Sequence, residues 1–180
     1  WPLGPLYPDL SMQNVNFFKK QGGRWFSQRT THYLKAGDSK AGKSDLEVTY
    51  LDAQADVLAQ LCSGASCGAE DALGGLQIVQ KSTLSAGQTR TQSTLLVAIA
   101  TDDHTGKLLR QTAGQSLSLS QYQLENDVLT VTTESDGIRA EERWWFITDN
   151  LRMRTNVLSG EAGQIMASFC SEIRLGDVKT

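Results

Sequence analysis

The feature that most limits the fold of this chain is a rhythm. From Leu76 to Arg174 the sequence is a series of short segments rich in branched and aromatic residues, separated by turn signals at intervals of roughly 8–12 residues. The segments fall near Leu76–Leu84, Thr91–Ala100, Leu108–Thr112, Ser116–Leu124, Val128–Glu134, Arg139–Thr148, Leu151–Leu158 and Ile165–Arg174. Between them lie Ser85–Gly87, Asp102–Gly106, Glu125–Asp127, Asp136–Gly137, Asp149–Asn150 and Ser159–Gly163, whose Gly, Asn, Asp and Ser residues suit tight turns. Two earlier strands, Arg24–Leu34 and Leu46–Leu51, flank a loop over Gly37–Lys43 and bring the total to about ten. Strands this short and closely spaced form antiparallel hairpins. An open sheet of hairpins would leave unpaired edges, and closure into a barrel removes them.

Two segments break the rhythm. Asn14–Lys20 reads as a short helix with Asn14 as its cap and Gly22–Gly23 as its end. Ala53–Leu61 switches to strong helix formers with apolar residues at helical spacing, followed by a loop over Ser63–Gly75. All three prolines, Pro2, Pro5 and Pro8, fall in the first ten residues, which have neither the basic nor the apolar region of a signal peptide. Residues 1–13 are therefore expected to be an extended arm or a remnant of processing, and 14–176 a single domain.

Composition narrows the function classes. A formal charge of −3 argues against a nucleic-acid binder. No apolar run approaches the roughly 18 residues of a transmembrane helix, so membrane insertion is not expected. Cys62, Cys67 and Cys170 are too few for a disulfide framework, and no histidine accompanies them at zinc-site spacing. No metal site is expected, and a reducing compartment is the simpler reading.

One strand is unusual. In Asn150–Asn156 every alternate residue is polar (Asn150, Arg152, Arg154, Asn156), while Leu151, Met153 and Val157 take the other face. Glu142, Trp144 and Phe146 likewise share one face of the preceding strand. Either these polar residues meet water, or the barrel holds a partly polar pocket. A barrel of about ten strands is wide enough for one small ligand.

Four blocks carry a resemblance: F-F-K-K-Q-G-G-R-W-F-S-Q-R-T-T-H (Phe17–His32), E-E-R-W-W-F running into D-N-L-R-M-R-T (Glu141–Thr155), A-S-F-C-S-E-I-R (Ala167–Arg174), and the shorter G-K-L-L-R (Gly106–Arg110). In order and spacing they are similar to the S-type, or CpcS/CpeS, phycobiliprotein lyases. The resemblance implies a mainly β fold: a lipocalin-like or fatty-acid-binding-protein-like barrel of about ten antiparallel strands, with a short N-terminal helix and one inserted helix. It also implies the activity, which is to bind an open-chain tetrapyrrole (a phycobilin such as phycoerythrobilin or phycocyanobilin) and promote its thioether attachment to a cysteine of an apo-phycobiliprotein subunit. The bilin is then a substrate and not a permanent cofactor. A homodimer, and a location in a cyanobacterial cytoplasm or an algal plastid stroma, follow from the same resemblance. The family often carries a tryptophan where this chain has Leu76–Leu84, so the bilin and the acceptor are left open. A carrier of bilins without transfer activity is the alternative.

Such a ligand needs cations for two propionates, flat apolar surface for its rings, and a group that polarises the pyrroles. Arg152 and Arg154, two apart on a strand and about 7 Å from one another, are candidates for the propionates because a guanidinium binds a carboxylate with two parallel hydrogen bonds. The family motif places a functional carboxylate at Glu142, which makes it the catalytic candidate, either as an anion bonding the pyrrole nitrogens or as a proton donor. Trp144 and Phe146 are candidates for stacking. Trp25 is expected to close one end of the barrel, covered by Arg174, which leaves Arg24 on the opposite face as a pocket candidate. His32 is a further candidate contact. Glu172 is expected to pair with an arginine, and Cys170 to line the pocket.

Overall fold

The structure, a computed structural model, describes residues 10–65, 67–68 and 72–178. Ten strands form a closed antiparallel barrel: β1 (Gly23–Tyr33), β2 (Asp38–Leu51), β3 (Ala72–Thr83), β4 (Thr89–Ala100), β5 (Thr105–Thr112), β6 (Ser118–Glu125), β7 (Val128–Ser135), β8 (Ile138–Thr148), β9 (Leu151–Gly160) and β10 (Gly163–Gly176). Every strand pairs with its sequence neighbours, and β10 returns to β1 to close the ring. Helix α1 (Leu10–Lys20) precedes the barrel and α2 (Asp56–Gly64) joins β2 to β3. The mainly β barrel and both helices are those expected from the sequence. No described helix is long and apolar enough to cross a membrane.

Three local expectations are corrected. Helix α1 starts at Leu10, so Asn14 is inside it and not its cap; the Asn14 amide instead donates to the Asp103 carbonyl at 2.7 Å. The first nine residues, most of the expected arm, lie outside the described ones. The loop expected over Gly37–Lys43 shrinks to a turn, because β2 pairs with β1 from Asp38 opposite Tyr33 onwards. Gly37 makes that turn at φ +71, a conformation glycine adopts at no steric cost. Helix α2 begins three residues late, since the Asp52 carboxylate captures the Gln54 N–H at 3.0 Å and holds a turn there.

The pleat sorts residues into two sets. Trp25, Leu46, Val48, Leu76, Leu96, Leu108, Leu129, Val131 and Trp144 point inward and form the main core. Helix α1 plugs one end of it. Phe17 and Phe18 are buried there, with Phe17 edge-on to Phe146 at 5.9 Å and Phe18 edge-on to Tyr122 at 6.1 Å. Gly106 allows this closure, because a Cβ there would strike the Tyr122 ring at 2.6 Å. A second, smaller core lies outside the barrel, where α2 lays Leu58 and Cys62 over the outward-facing Val97, Ile99 and Leu109. Plugged by α1 and walled on all sides, the barrel is left to open at the end bearing the β1–β2, β3–β4 and β5–β6 connections.

Candidate functional site

The polar face of β9 points inward. Arg152, Arg154 and Asn156 line an interior cavity of about 340 Å³, while Leu151 and Met153 take the outer wall. Chain chemistry alone would predict the reverse, so something inside must receive these groups. Part of the answer is Glu172 on β10. Fully buried, it stands opposite Arg152 in the ladder, accepts from Arg152 Nε at 2.8 Å, and takes two bonds from Arg154 at 2.7 and 3.0 Å. Burial alone would raise the Glu172 pKa, but Arg154 and Arg152 overcome it and bring it down to about 2. Arg152 is drawn down to about 10 by burial, against the pull of Glu172. Arg154 is held above its ordinary range: burial works against the charge, and Glu172 more than restores it.

Below this pair lies Trp25, with no exposed surface. The Arg152 and Arg174 guanidiniums lie 4.3 and 4.2 Å from its ring, and its Nε1–H donates to the Gln21 carbonyl at 2.9 Å. Arg152 Nη1 also reaches the Gln21 side-chain oxygen at 2.8 Å. Arg174 in turn donates to the Gly22 and Lys20 carbonyls, satisfying the end of α1. The expected cover of Trp25 by Arg174 is thus present, and Arg152 covers it too.

Glu142 on β8 is held from across the barrel. Arg110 on β5, three strands along the ring, donates to both its oxygens at 3.1 and 3.2 Å, and Trp144 Nε1 adds a bond at 3.2 Å. Burial would raise the Glu142 pKa, yet Arg110 chiefly, with Arg154 and Trp144, holds the carboxyl below its ordinary range. The Arg154 guanidinium lies 5.8 Å from the Trp144 ring, which ties the two clusters together. The facing wall, from β2 to β4, is apolar where Leu46, Val48, Leu76, Ile78 and Leu96 meet the cavity, and turns polar toward the mouth at Gln80, Gln92 and Thr94.

Of the residues singled out from sequence, Glu142, Trp144, Arg152 and Arg154 come together on this cavity. Three do not. Arg24 lies on the outer face, opposite to the inward Trp25, and donates to the Asp177 carbonyl at 2.9 Å near the plugged end. His32 has the same outward parity and is exposed. Phe146 points inward but lies beneath the cavity, where it packs against Phe17 and Trp25 and carries Lys20 Nζ at 4.9 Å from its ring. Cys170 does line the cavity, with its thiol pKa pushed up by burial. Arg110, Arg29 and Asn156 were not singled out and also face it. The Asn156 side-chain oxygen is buried with no donor among the described residues. The signal available for Arg110 was its place on the inward face between Leu108 and Thr112.

The family model described as CpeS-like protein matches residues 13–175. Chromophore lyase CpcS/CpeS 1 of Trichodesmium erythraeum (strain IMS101) is 38% identical over 170 residues, covering 91% of this chain and 98% of the relative. Chromophore lyase CpcS/CpeS of Thermosynechococcus vestitus (strain NIES-2133 / IAM M-273 / BP-1) is 36% identical over 173 residues, covering 93% and 95%. The solved structure of the S-type phycobiliprotein lyase CPES from Guillardia theta matches with a TM-score of 0.76 at 25% identity, covering 96% of this chain and 100% of that one. By this family match and these identities, the chain, with its plugged barrel and arginine-lined cavity, belongs to the CpeS-like family of chromophore lyases.

Proposed function

We propose that residues 14–176 form one bilin-binding domain that holds a free phycobilin in the barrel cavity and promotes its attachment to a cysteine of an apo-phycobiliprotein subunit. The observation that carries this reading is the charge of the cavity. Arg29, Arg110, Arg152 and Arg154 outnumber Glu142 and Glu172, so two positive charges are left over on a wall that faces an apolar one. A linear tetrapyrrole brings two propionates and a flat conjugated body, which that surplus and that wall match.

The residues divide the work. Arg154 and Arg29, both partly open to the cavity, bind the propionates. Arg152 has its Nε and Nη1 committed to Glu172 and Gln21, and acts by fixing Glu172 and Trp25 in place. Trp144 offers its ring to the pyrroles. Glu142, kept ionised by Arg110, accepts from the pyrrole N–H groups and stabilises positive charge there, which makes the ethylidene of the first ring more electrophilic. The acceptor thiol then adds across that double bond: sulfur bonds the exocyclic carbon and the thiol's proton ends on the neighbouring ring carbon, with no oxidant needed. A tetrapyrrole fills roughly 600 Å³ at organic packing density, so a 340 Å³ cavity takes the central rings and leaves one end at the mouth, within reach of the thiol.

A homodimer is the proposed assembly. Ile147, Phe169, Ile173 and Leu175 are about half exposed on the outer face of β8 to β10, and a second copy there would leave both mouths open. The proposed location is a cyanobacterial cytoplasm or an algal plastid stroma.

The test is to mix the purified protein with free phycocyanobilin or phycoerythrobilin, record the absorption change, then add apo-subunits and follow covalent product. Faster and cleaner attachment than the uncatalysed reaction supports the lyase. Binding with no gain in rate or fidelity would leave a bilin carrier.

A further inference from the structure

The mouth of the barrel is electrically lopsided. Arg29, Lys35, Lys40, Lys43, Lys81 and Arg90 are six of the chain's 17 lysines and arginines, and all are exposed on the β1–β2 and β3–β4 hairpins. The strand registers gather four of them at one level. Arg29 faces Gly42, Lys43 faces both Gln28 and Thr83, and Arg90 faces Ser82. Residues 27–45 contain only Asp38 and Asp45 as acids, and 76–94 contain none. The remainder of the rim carries acids, with Asp136 at the β7–β8 turn, where Glu134 is paired with Arg139, and Glu161 at the β9–β10 turn.

None of the six cations forms an ion pair with a described residue, whereas Lys20, Arg110, Arg139, Arg143, Arg152 and Arg154 each have a carboxylate partner. Clustered like charges repel, and apart from Lys40, whose Nζ lies 5.7 Å from the Tyr33 ring, they have no charge or ring partner among the described residues. Arg29 faces the cavity, but part of the patch lies beyond its reach. Lys43 and Lys81 have the outward parity of their strands, opposite to Leu46 and Ile78, and cannot reach a ligand inside. A bilin's two propionates are already matched by the surplus within. A field of this shape, basic on one lip and acidic on the other, suits a large partner with a definite orientation. A nucleic acid, negative along its whole length, would be repelled by the acidic lip and by a chain of net charge −3.

We propose that this basic crescent docks an acidic surface of the acceptor subunit beside its target cysteine, and that the acidic lip fixes its rotation so that the thiol sits over the mouth. The proposal rests on the lyase reading and assigns the docking surface within it.

The test compares wild type with Lys43→Glu/Lys81→Glu and with Lys43→Gln/Lys81→Gln. Each is titrated with free phycocyanobilin by absorption, then supplied with increasing apo-phycobiliprotein subunit at about 0.05 M and about 0.5 M NaCl, where screening lengths differ several-fold. Expected is bilin affinity unchanged within about twofold, which also shows that the variants fold. At low salt, kcat/KM for the acceptor should fall about tenfold in the Glu variant, through KM, and less in the Gln variant; the gap should close at high salt. A double variant that loads the acceptor as well as wild type at low salt would overturn the proposal. So would a parallel loss of bilin affinity, which would make the crescent part of ligand capture. If wild type itself does not accelerate attachment, the lyase reading fails; if wild type does and the variants match it, only the docking surface fails.

Discussion

Glu172 stands opposite Arg152 across the β9–β10 ladder, yet its two oxygens also hold Arg154, the next inward residue of the same strand. One buried carboxylate thereby orients both arginines, and they need it to remain charged inside the barrel. Replacing it by Gln keeps the shape and removes the charge. Glu172→Gln is expected to destabilise the fold by about 3–5 kcal/mol, the range for leaving a buried partner uncompensated, as measured by urea unfolding. A loss below about 1 kcal/mol, the scale of a surface pair, would mean that water reaches the cluster.

The same group gives the fold an acid limit. The Glu172 pKa falls from 4.5 when unfolded to about 2 when folded, so its stabilisation is present above pH 4.5 and is lost as pH drops toward 2. Unfolding free energy followed between pH 6 and pH 3 should decline for wild type, and the decline should be shallower in Glu172→Gln. Equal slopes would assign the acid sensitivity to other carboxylates.

Arg152 and Arg154 look interchangeable in sequence and are not so in space. Arg154→Ala removes a cation that is 28% exposed in its side chain, and is expected to weaken bilin binding by roughly tenfold to a hundredfold, the worth of a charge-assisted hydrogen bond. Arg152, 5% exposed, holds Glu172, Gln21 and Trp25, so Arg152→Ala should act mainly on stability. Spectral titration and urea unfolding of the two variants side by side separate the roles. Equal affinity losses without a stability difference would return Arg152 to the ligand.

The plug can be tested apart from the cavity. Trp25 has no exposed surface and is sandwiched by two guanidiniums, and its Nε1–H satisfies the Gln21 carbonyl at the end of α1. Trp25→Ala is expected to cost about 3–5 kcal/mol. Trp25→Phe keeps most of the ring but drops the donor, and should cost less. Thermal unfolding orders the three proteins; a Phe variant as unstable as the Ala one would place the weight on the hydrogen bond.

Much of the fold was legible because turn chemistry and residue alternation act locally, and a ten-stranded meander has few other ways to hide its edges. What stayed hidden is what alternation leaves undetermined. It assigns Arg152 and Leu151 to opposite faces but does not say which face is inside, and here the polar one is. Arg24 departs from expectation for a related reason: an end-closing Trp25 leaves open which face of β1 is inside, and here Trp25 faces inward into the core while Arg24 lies outside. The sequence pattern ends the β1–β2 hairpin too early because residues 38–45 hold no branched or aromatic side chain, and only pairing with β1 defines them as strand. Arg110 shows the deepest limit. Its partner Glu142 is three strands away around the ring, so their bond exists only once the sheet has curled into a barrel.

That bond yields the sharpest test of the chemistry. Burial drives the Glu142 pKa up and Arg110 drives it down, and the second effect prevails. Because the folded pKa is lowered, Glu142 is ionised throughout the neutral range, and attachment should show no acid limb from it until pH falls below the ordinary carboxylate value. Glu142→Gln should leave bilin binding measurable and slow attachment, by about tenfold to a hundredfold for a lost charge-assisted contact to the pyrroles. Arg110→Gln leaves the carboxylate in place but removes its main counter-charge, so burial prevails and the acid limb moves upward in pH. Attachment rates for wild type and the two variants between pH 5 and pH 8 distinguish these outcomes. An upward shift in Arg110→Gln that is absent from the Arg110→Gln/Glu142→Gln double variant would identify Glu142 as the titrating group. An unshifted profile would leave Arg110 as a strut between β5 and β8, and would move the charge-stabilising role away from Glu142.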